Sequence, residues 1–105
     1  MASSPFIITS EELKSEWGQV KLLDVREPEE WAEGRLETAI LIPLADVSSD
    51  APKQLSKEDP IVVYCAHGVR SLHALMGLKQ LGFENVRSLE GGICAWLESG
   101  GKQVQ

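Results

Sequence analysis

Cysteine is scarce in this chain. Cys65 and Cys94 are the only two, they stand 29 positions apart, and no Cys-x-x-Cys pair occurs. A disulfide framework in so short a chain needs more cysteines, so a reducing, cytoplasmic compartment is expected. Long apolar runs are missing as well: none approaches the ~20 residues of a membrane span. The opening Met1-Ala2-Ser3-Ser4-Pro5 has neither the basic start nor the apolar stretch of a secretory signal. Positive charge is in short supply, with 10 Lys and Arg against 16 Asp and Glu, a net charge of −6. That argues against a nucleic-acid binder, which carries a basic patch or stripe, and against docking on anionic lipid. The acidity reads as solubility. There is no internal repeat and no low-complexity segment.

What is present is ordinary globular material, 43% hydrophobic and 25% charged over 105 residues. That length suits one domain, 1–105, which buries roughly 65% of its unfolded surface without staples. The ends, 1–4 and 100–105, read as flexible. Phe6-Ile7-Ile8 reads as an edge strand, followed by a capping box in Thr9-Ser10-Glu11-Glu12 and a helix ending near Gly18. Val20 to Val25 is the next strand. Pro28 suits the first turn of a helix, with Glu29, Glu30 and Glu33 near its positive end and Gly34 closing it. Ala39 to Ile42 reads as a third strand. A short irregular helix broken by Pro52 follows, then a strong strand over 61–64. Leu72, Leu75, Met76, Leu78 and Leu81 recur at helical spacing, with Gly82 as the stop. Val86 to Leu89 forms a last strand, and Gly91-Gly92 leads into a final helix around Trp96. Alternating strands and helices predict an α/β fold: a central five-stranded, mainly parallel sheet with helices on both faces. Ligands in such sheets bind beyond the carboxyl ends of strands, where Asp24 and Cys65 fall.

Ile61-Val62-Val63-Tyr64-Cys65-Ala66-His67-Gly68-Val69-Arg70-Ser71 carries the chemistry. A thiol ends an apolar strand and is followed by a histidine, a glycine and an arginine. A short loop curling around Cys65 points backbone N–H groups inward, as in anion-binding nests. The following helix adds about half a positive charge at its N-terminus, Arg70 is permanently charged and His67 can be. Each of these favours a thiolate over a thiol, so Cys65 is expected to be ionised and nucleophilic. Four residues separate Cys65 from Arg70. Protein tyrosine phosphatases use Cys-x5-Arg, and their longer loop surrounds a phosphate. The tighter loop here suits one extra atom carried on the cysteine.

Three stretches resemble the rhodanese family of thiosulfate sulfurtransferases. Asp24-Val25-Arg26 through Glu30-Trp31 is similar to its first signature, Cys65 through Ser71 to its active-site loop, and Leu89 through Trp96 to its closing L-x-G-G-x-x-A-W motif. The family's usual G-H-I-x-G-A reads here Gly34-Arg35-Leu36-Glu37-Thr38-Ala39, with Arg35 and Thr38 as departures. The resemblance implies a single-domain sulfur shuttle. The Cys65 thiolate would attack the outer sulfur of a donor such as thiosulfate and release sulfite. The resulting persulfide would be held by the N–H groups of Ala66, His67, Gly68, Val69, Arg70 and Ser71. A second nucleophile, cyanide, glutathione or a protein thiol such as thioredoxin, would then take the sulfur, in ping-pong fashion. No cofactor is implied beyond the covalent intermediate, and a monomer is expected.

Several residues carry two readings. Arg70 walls the socket or is an exposed first-turn arginine. His67 orients the donor or only occupies the loop. Ser71 donates to the sulfur or caps the helix. Asp24 and Arg26 are supporting residues that hold structure, with Asp24 bracing the loop or pairing with Arg70. Trp31 and Trp96 read as packing anchors. Cys94 resolves the persulfide or is a packed helix cysteine. Cys65, His67, His73 and Cys94 have no recognised metal-ligand spacing. Two rival functions share the loop: a binding module that has lost catalysis, and a phosphatase or arsenate reductase.

Overall fold

The computed structural model describes residues 5–105. Five parallel strands form one sheet: β1 (Ile7–Ile8), β2 (Lys21–Asp24), β3 (Ile40–Leu41), β4 (Ile61–Tyr64) and β5 (Val86–Leu89). Their order across the sheet is β1-β5-β4-β2-β3. Every pairing is parallel. This places β4, which ends in the cysteine, at the centre. Ile61, Val62, Val63 and Tyr64 are all buried, as a strand covered on both faces requires.

Helices lie on both faces. α3 (Val47–Gln54) and α4 (Val69–Gln80) pack with Leu23, Val25, Ile61, Val63 and Val86. On the other face, α1 (Ser10–Ser15) and α5 (Gly92–Glu98) contribute Leu13, Ile93 and Trp96 against Leu22, Val62, Tyr64 and Leu89. The strand period of two divides β4 between the layers. Val63 and Cys65 face α4, while Val62 and Tyr64 face α5. Among the described residues no helix is long and apolar enough to cross a membrane.

The capping box at Thr9 forms as read: Thr9 Oγ accepts from Glu12 N at 3.1 Å, and Glu12 Oε1 accepts from Thr9 N at 2.9 Å. α1 nevertheless ends at Ser15, short of Gly18, because Glu16 and Trp17 tighten into turns on the preceding carbonyls. α2 (Pro28–Glu33) starts on Pro28. α3 accommodates Pro52, near its C-terminal end, after a 3₁₀ turn at Leu44–Asp46.

Three expectations need correction. Leu72 and Met76 do not join the packing stripe of α4; the buried set is Ser71, Ala74, Leu75 and Leu78, and Leu72 and Met76 face solvent. Trp31 is only half-buried and carries the Arg35 guanidinium 4.5 Å above its ring, whereas Trp96 is a core anchor. The tail at 100–105 is tied back. Val104 and Arg35 exchange two backbone hydrogen bonds of 2.8 Å, and Trp96 Nε1 donates to the Lys102 carbonyl at 2.9 Å. Backbone groups and one indole N–H make these contacts, so side-chain pattern alone did not announce them. The other expected flexible end, 1–4, lies outside the described residues.

Candidate active site

Cys65 sits at the carboxyl end of the central strand, and its side chain is buried. The backbone N–H groups of Gly68 and Ser71 point at its sulfur from 3.1 and 3.3 Å. Gly68 makes the turn possible. Its φ of 104° lies in the left-handed region, and a Cβ there would press on the backbone N of Gly91 at 3.3 Å. α4 starts at Val69, so the Ser71 amide is one of the unpaired N–H groups of its first turn.

The loop's carbonyls are turned the other way by α5. Ile93 N donates to Cys65 O at 2.9 Å and Cys94 N to Ala66 O at 3.1 Å. Gly92 allows that approach: a Cβ would collide with the carbonyl oxygens of both Cys65 and Ala66. The closing Gly-Gly thus holds the Cys65 and Ala66 carbonyls outward against a helix while the Gly68 and Ser71 N–H groups point inward on sulfur, and the Gly68 carbonyl accepts from Ser71 Oγ at 3.2 Å.

A hydroxyl pair completes the cradle. Ser71 Oγ lies 3.6 Å from Cys65 Sγ and 2.7 Å from the buried Ser88 Oγ on β5. Burial alone would push the thiol up. Donation from the Ser71 hydroxyl and the amides of Ser71, Gly68 and His67 outweighs it and holds Cys65 below an ordinary cysteine. Ser71 therefore does contact the sulfur. Ser88 was not identified from the sequence; no local motif marks it, and only the parallel register of β4 and β5 brings it here.

Arg70 acts on the sulfur through its charge rather than by contact. Its partner is Glu30, not Asp24. The guanidinium makes two parallel bonds to the Glu30 carboxylate, of 2.8 and 2.9 Å. Hydrogen bonding from Arg70 holds Glu30 down to about 2. Asp24 instead binds its near neighbour. Its oxygens accept from Arg26 N, Nε and Nη2 at 2.7–3.1 Å, and Arg26 Nη2 also reaches the Gly34 carbonyl at 2.7 Å. The pair is buried and braces the carboxyl end of β2 against the end of α2. His67 is exposed, with Nε2 at 3.4 Å from Cys94 Sγ. Both cysteines are free thiols. Beside the loop lies a cleft of about 290 Å³, lined by Ile7, Val69, Leu72, Ser88 and Glu90 among others.

The family model for the rhodanese-like domain matches residues 9–99. The chain belongs to the rhodanese-like family. It is 36% identical over 81 residues to a sulfurtransferase of Allochromatium vinosum, covering 77% of this chain and 75% of that one. It is 39% identical over 88 residues to "Probable adenylyltransferase/sulfurtransferase MoeZ" of Mycobacterium tuberculosis, covering 83% of this chain but only 21% of that much longer relative. Among solved structures, a rhodanese-related protein from Thermoplasma volcanium superposes with a TM-score of 0.88 at 36% identity, covering 94% of this chain and 97% of that one. The rhodanese-like domain here keeps a cysteine at the end of its central strand, where the loop motif placed it.

Its two departures from the family pattern have visible consequences. Thr38 has φ 71°, the single non-glycine residue with positive φ among those described. A β-branched side chain is poorly suited to that backbone. Arg35 stacks its guanidinium on Trp31, while the pairing with Val104 uses only its backbone.

Proposed function

We propose that this domain is a sulfurtransferase that carries sulfane sulfur on Cys65. The observation behind this reading is the convergence of the Gly68 and Ser71 N–H groups on a buried cysteine sulfur. A cradle of that kind stabilises the thiolate before reaction, and a terminal sulfur anion after it. In the first half-reaction the thiolate attacks the outer sulfur of thiosulfate. A new S–S bond forms, the S–S bond of the donor breaks, and its electron pair leaves with sulfite. In the second, an acceptor nucleophile attacks the outer sulfur of the persulfide, and the Cys65 thiolate departs. The oxidation level of sulfur is conserved throughout, so the cycle needs no further cofactor.

Candidate acceptors are cyanide, glutathione and a protein thiol such as thioredoxin. We place the domain in the cytoplasm, as a monomer acting on neither nucleic acid nor membrane, in keeping with a net charge of −6. Intact-protein mass before and after thiosulfate, without reductant, tests the reading. Wild type should gain the mass of one sulfur atom, and Cys65→Ser should gain nothing. Gain in neither, with Cys65 shown reduced and open to alkylation, counts against thiosulfate as donor.

A further inference from the structure

Thiosulfate is a dianion, and the mouth of this site is poor in net positive charge. Arg70 is coupled through its charge to the Cys65 sulfur. Both of its arms on the Glu30 side are occupied, by bonds of 2.8 and 2.9 Å to that carboxylate. Glu30 is not free to swing away. Its Oε1 also accepts the Glu27 N–H at 2.9 Å, which pins it to the first turn of α2. Glu27 adds further negative charge close to Arg70, and Glu90 stands on the cleft side of the loop. The N–H groups on sulfur remain, and they match one terminal sulfur anion rather than the three sulfonate oxygens behind it. The cleft beside the loop is walled by Ile7, Val69 and Leu72, side chains that suit an organic group, with the exposed His67 and the buried Ser88 also on its lining.

We propose that Glu30 is a specificity-determining residue: by fixing and neutralising Arg70 at the mouth of the Cys65 loop, it selects organic persulfides, R–S–SH, over thiosulfate as sulfur donors. The inference rests on the sulfur-carrier reading above. The Cys65 thiolate attacks the terminal sulfur of R–S–SH, a bond forms between the two sulfurs, and the donor's S–S bond breaks. The electron pair leaves as the thiolate R–S⁻, and the transferred sulfur keeps its proton or loses it to solvent.

The test compares rates of Cys65 loading, followed by intact mass in quenched single turnovers, with thiosulfate and with 2-hydroxyethyl persulfide. Gln at position 30 retains the cap on Glu27, so Glu30→Gln should fold normally. In wild type the persulfide should load Cys65 on the order of tenfold faster than thiosulfate at low ionic strength. Glu30→Gln should accelerate thiosulfate on the order of tenfold, and this gain should fade at high salt as the exposed charge is screened. The persulfide rate should stay within about twofold, since only the dianion gains from the charge. Leu72→Asn, uncharged and at an exposed position, should slow the persulfide selectively. Equal changes for both donors in Glu30→Gln, or a salt-independent change, overturn the assignment of Glu30 while leaving Cys65 as the carrier. Failure of both donors to load wild type overturns the sulfur-carrier reading itself, and the assignment with it.

Discussion

Ser71 and Ser88 hold their hydroxyl oxygens 2.7 Å apart in the protein interior, one on α4 and the other on β5. Each hydroxyl has a single proton. If Ser88 donates to Ser71, the Ser71 proton is shared between the Gly68 carbonyl, at 3.2 Å, and the Cys65 sulfur, at 3.6 Å. The two serines thus tie the loop and the sulfur to the sheet.

Removing Ser71 Oγ should therefore weaken the thiolate. We expect Ser71→Ala to shift the midpoint of the pH profile for Cys65 alkylation upward by about one unit. Ser88→Ala should shift it less, in the same direction. The sign for stability follows from linkage. Folded Cys65 binds its proton less tightly than in the unfolded chain. It therefore adds stability above the unfolded thiol's titration range, and this is lost as pH falls through the folded value. Urea melts across that range should show a smaller alkaline gain in Ser71→Ala than in wild type.

Asp24 and Arg26 should matter for folding rather than for sulfur chemistry. Asp24→Ala strands a buried guanidinium, at a cost of about 3–5 kcal/mol. Chemical denaturation should show that loss, while the alkylation rate of Cys65 in the folded fraction stays near wild type. A normal stability with slow alkylation would instead make Asp24 part of the reactive loop.

Gly92 has the opposite profile. A Cβ at this position meets the Cys65 and Ala66 carbonyls, and its φ is 65°. Gly92→Ala should cost at least about 2 kcal/mol. The helix must withdraw from the loop, so the surviving folded protein should also lose most of its Cys65 reactivity. Alkylation kinetics under native conditions would show both effects.

Thr38 offers a gain. Its exposed side chain sits on a backbone with φ 71°, which glycine adopts without strain. Thr38→Gly should raise stability by about 1 kcal/mol, the strain relieved less the extra freedom of glycine in the unfolded chain. A higher urea midpoint with an unchanged slope would show it. The loop chemistry should be unaffected.

Much of this molecule is legible in the chain where the deciding interactions are local. The Thr9–Glu12 cap, the apolar run into Cys65 and the glycine at 68 each act over a few residues. So does the Asp24–Arg26 pair, although the residue types equally offer Asp24 a bracing role or a partner in Arg70. What escaped reading is what tertiary packing brings together. Glu30 and Arg70 lie 40 positions apart, Ser71 and Ser88 17 apart, and the tail meets Arg35 through its backbone. Strand ends were also overrun: Ala39 and Ile42 look like β3 by composition, but only Ile40–Leu41 pair in register with β2. Hydrophobicity shows which residues are buried, and ladder partners show where a strand stops.

The strand order carries a final consequence, for kinetics. β1 and β3 are two-residue edges, whereas β4 is laddered on both sides. Fraying begins at edges and at short elements, and amides of central strands exchange with solvent through the largest openings of a structure. The amides of Val62 and Val63 should be among the slowest to exchange. On the sulfur-carrier reading, a sulfur atom held on Cys65 would be reached through the loop rather than through the looser margins of the sheet.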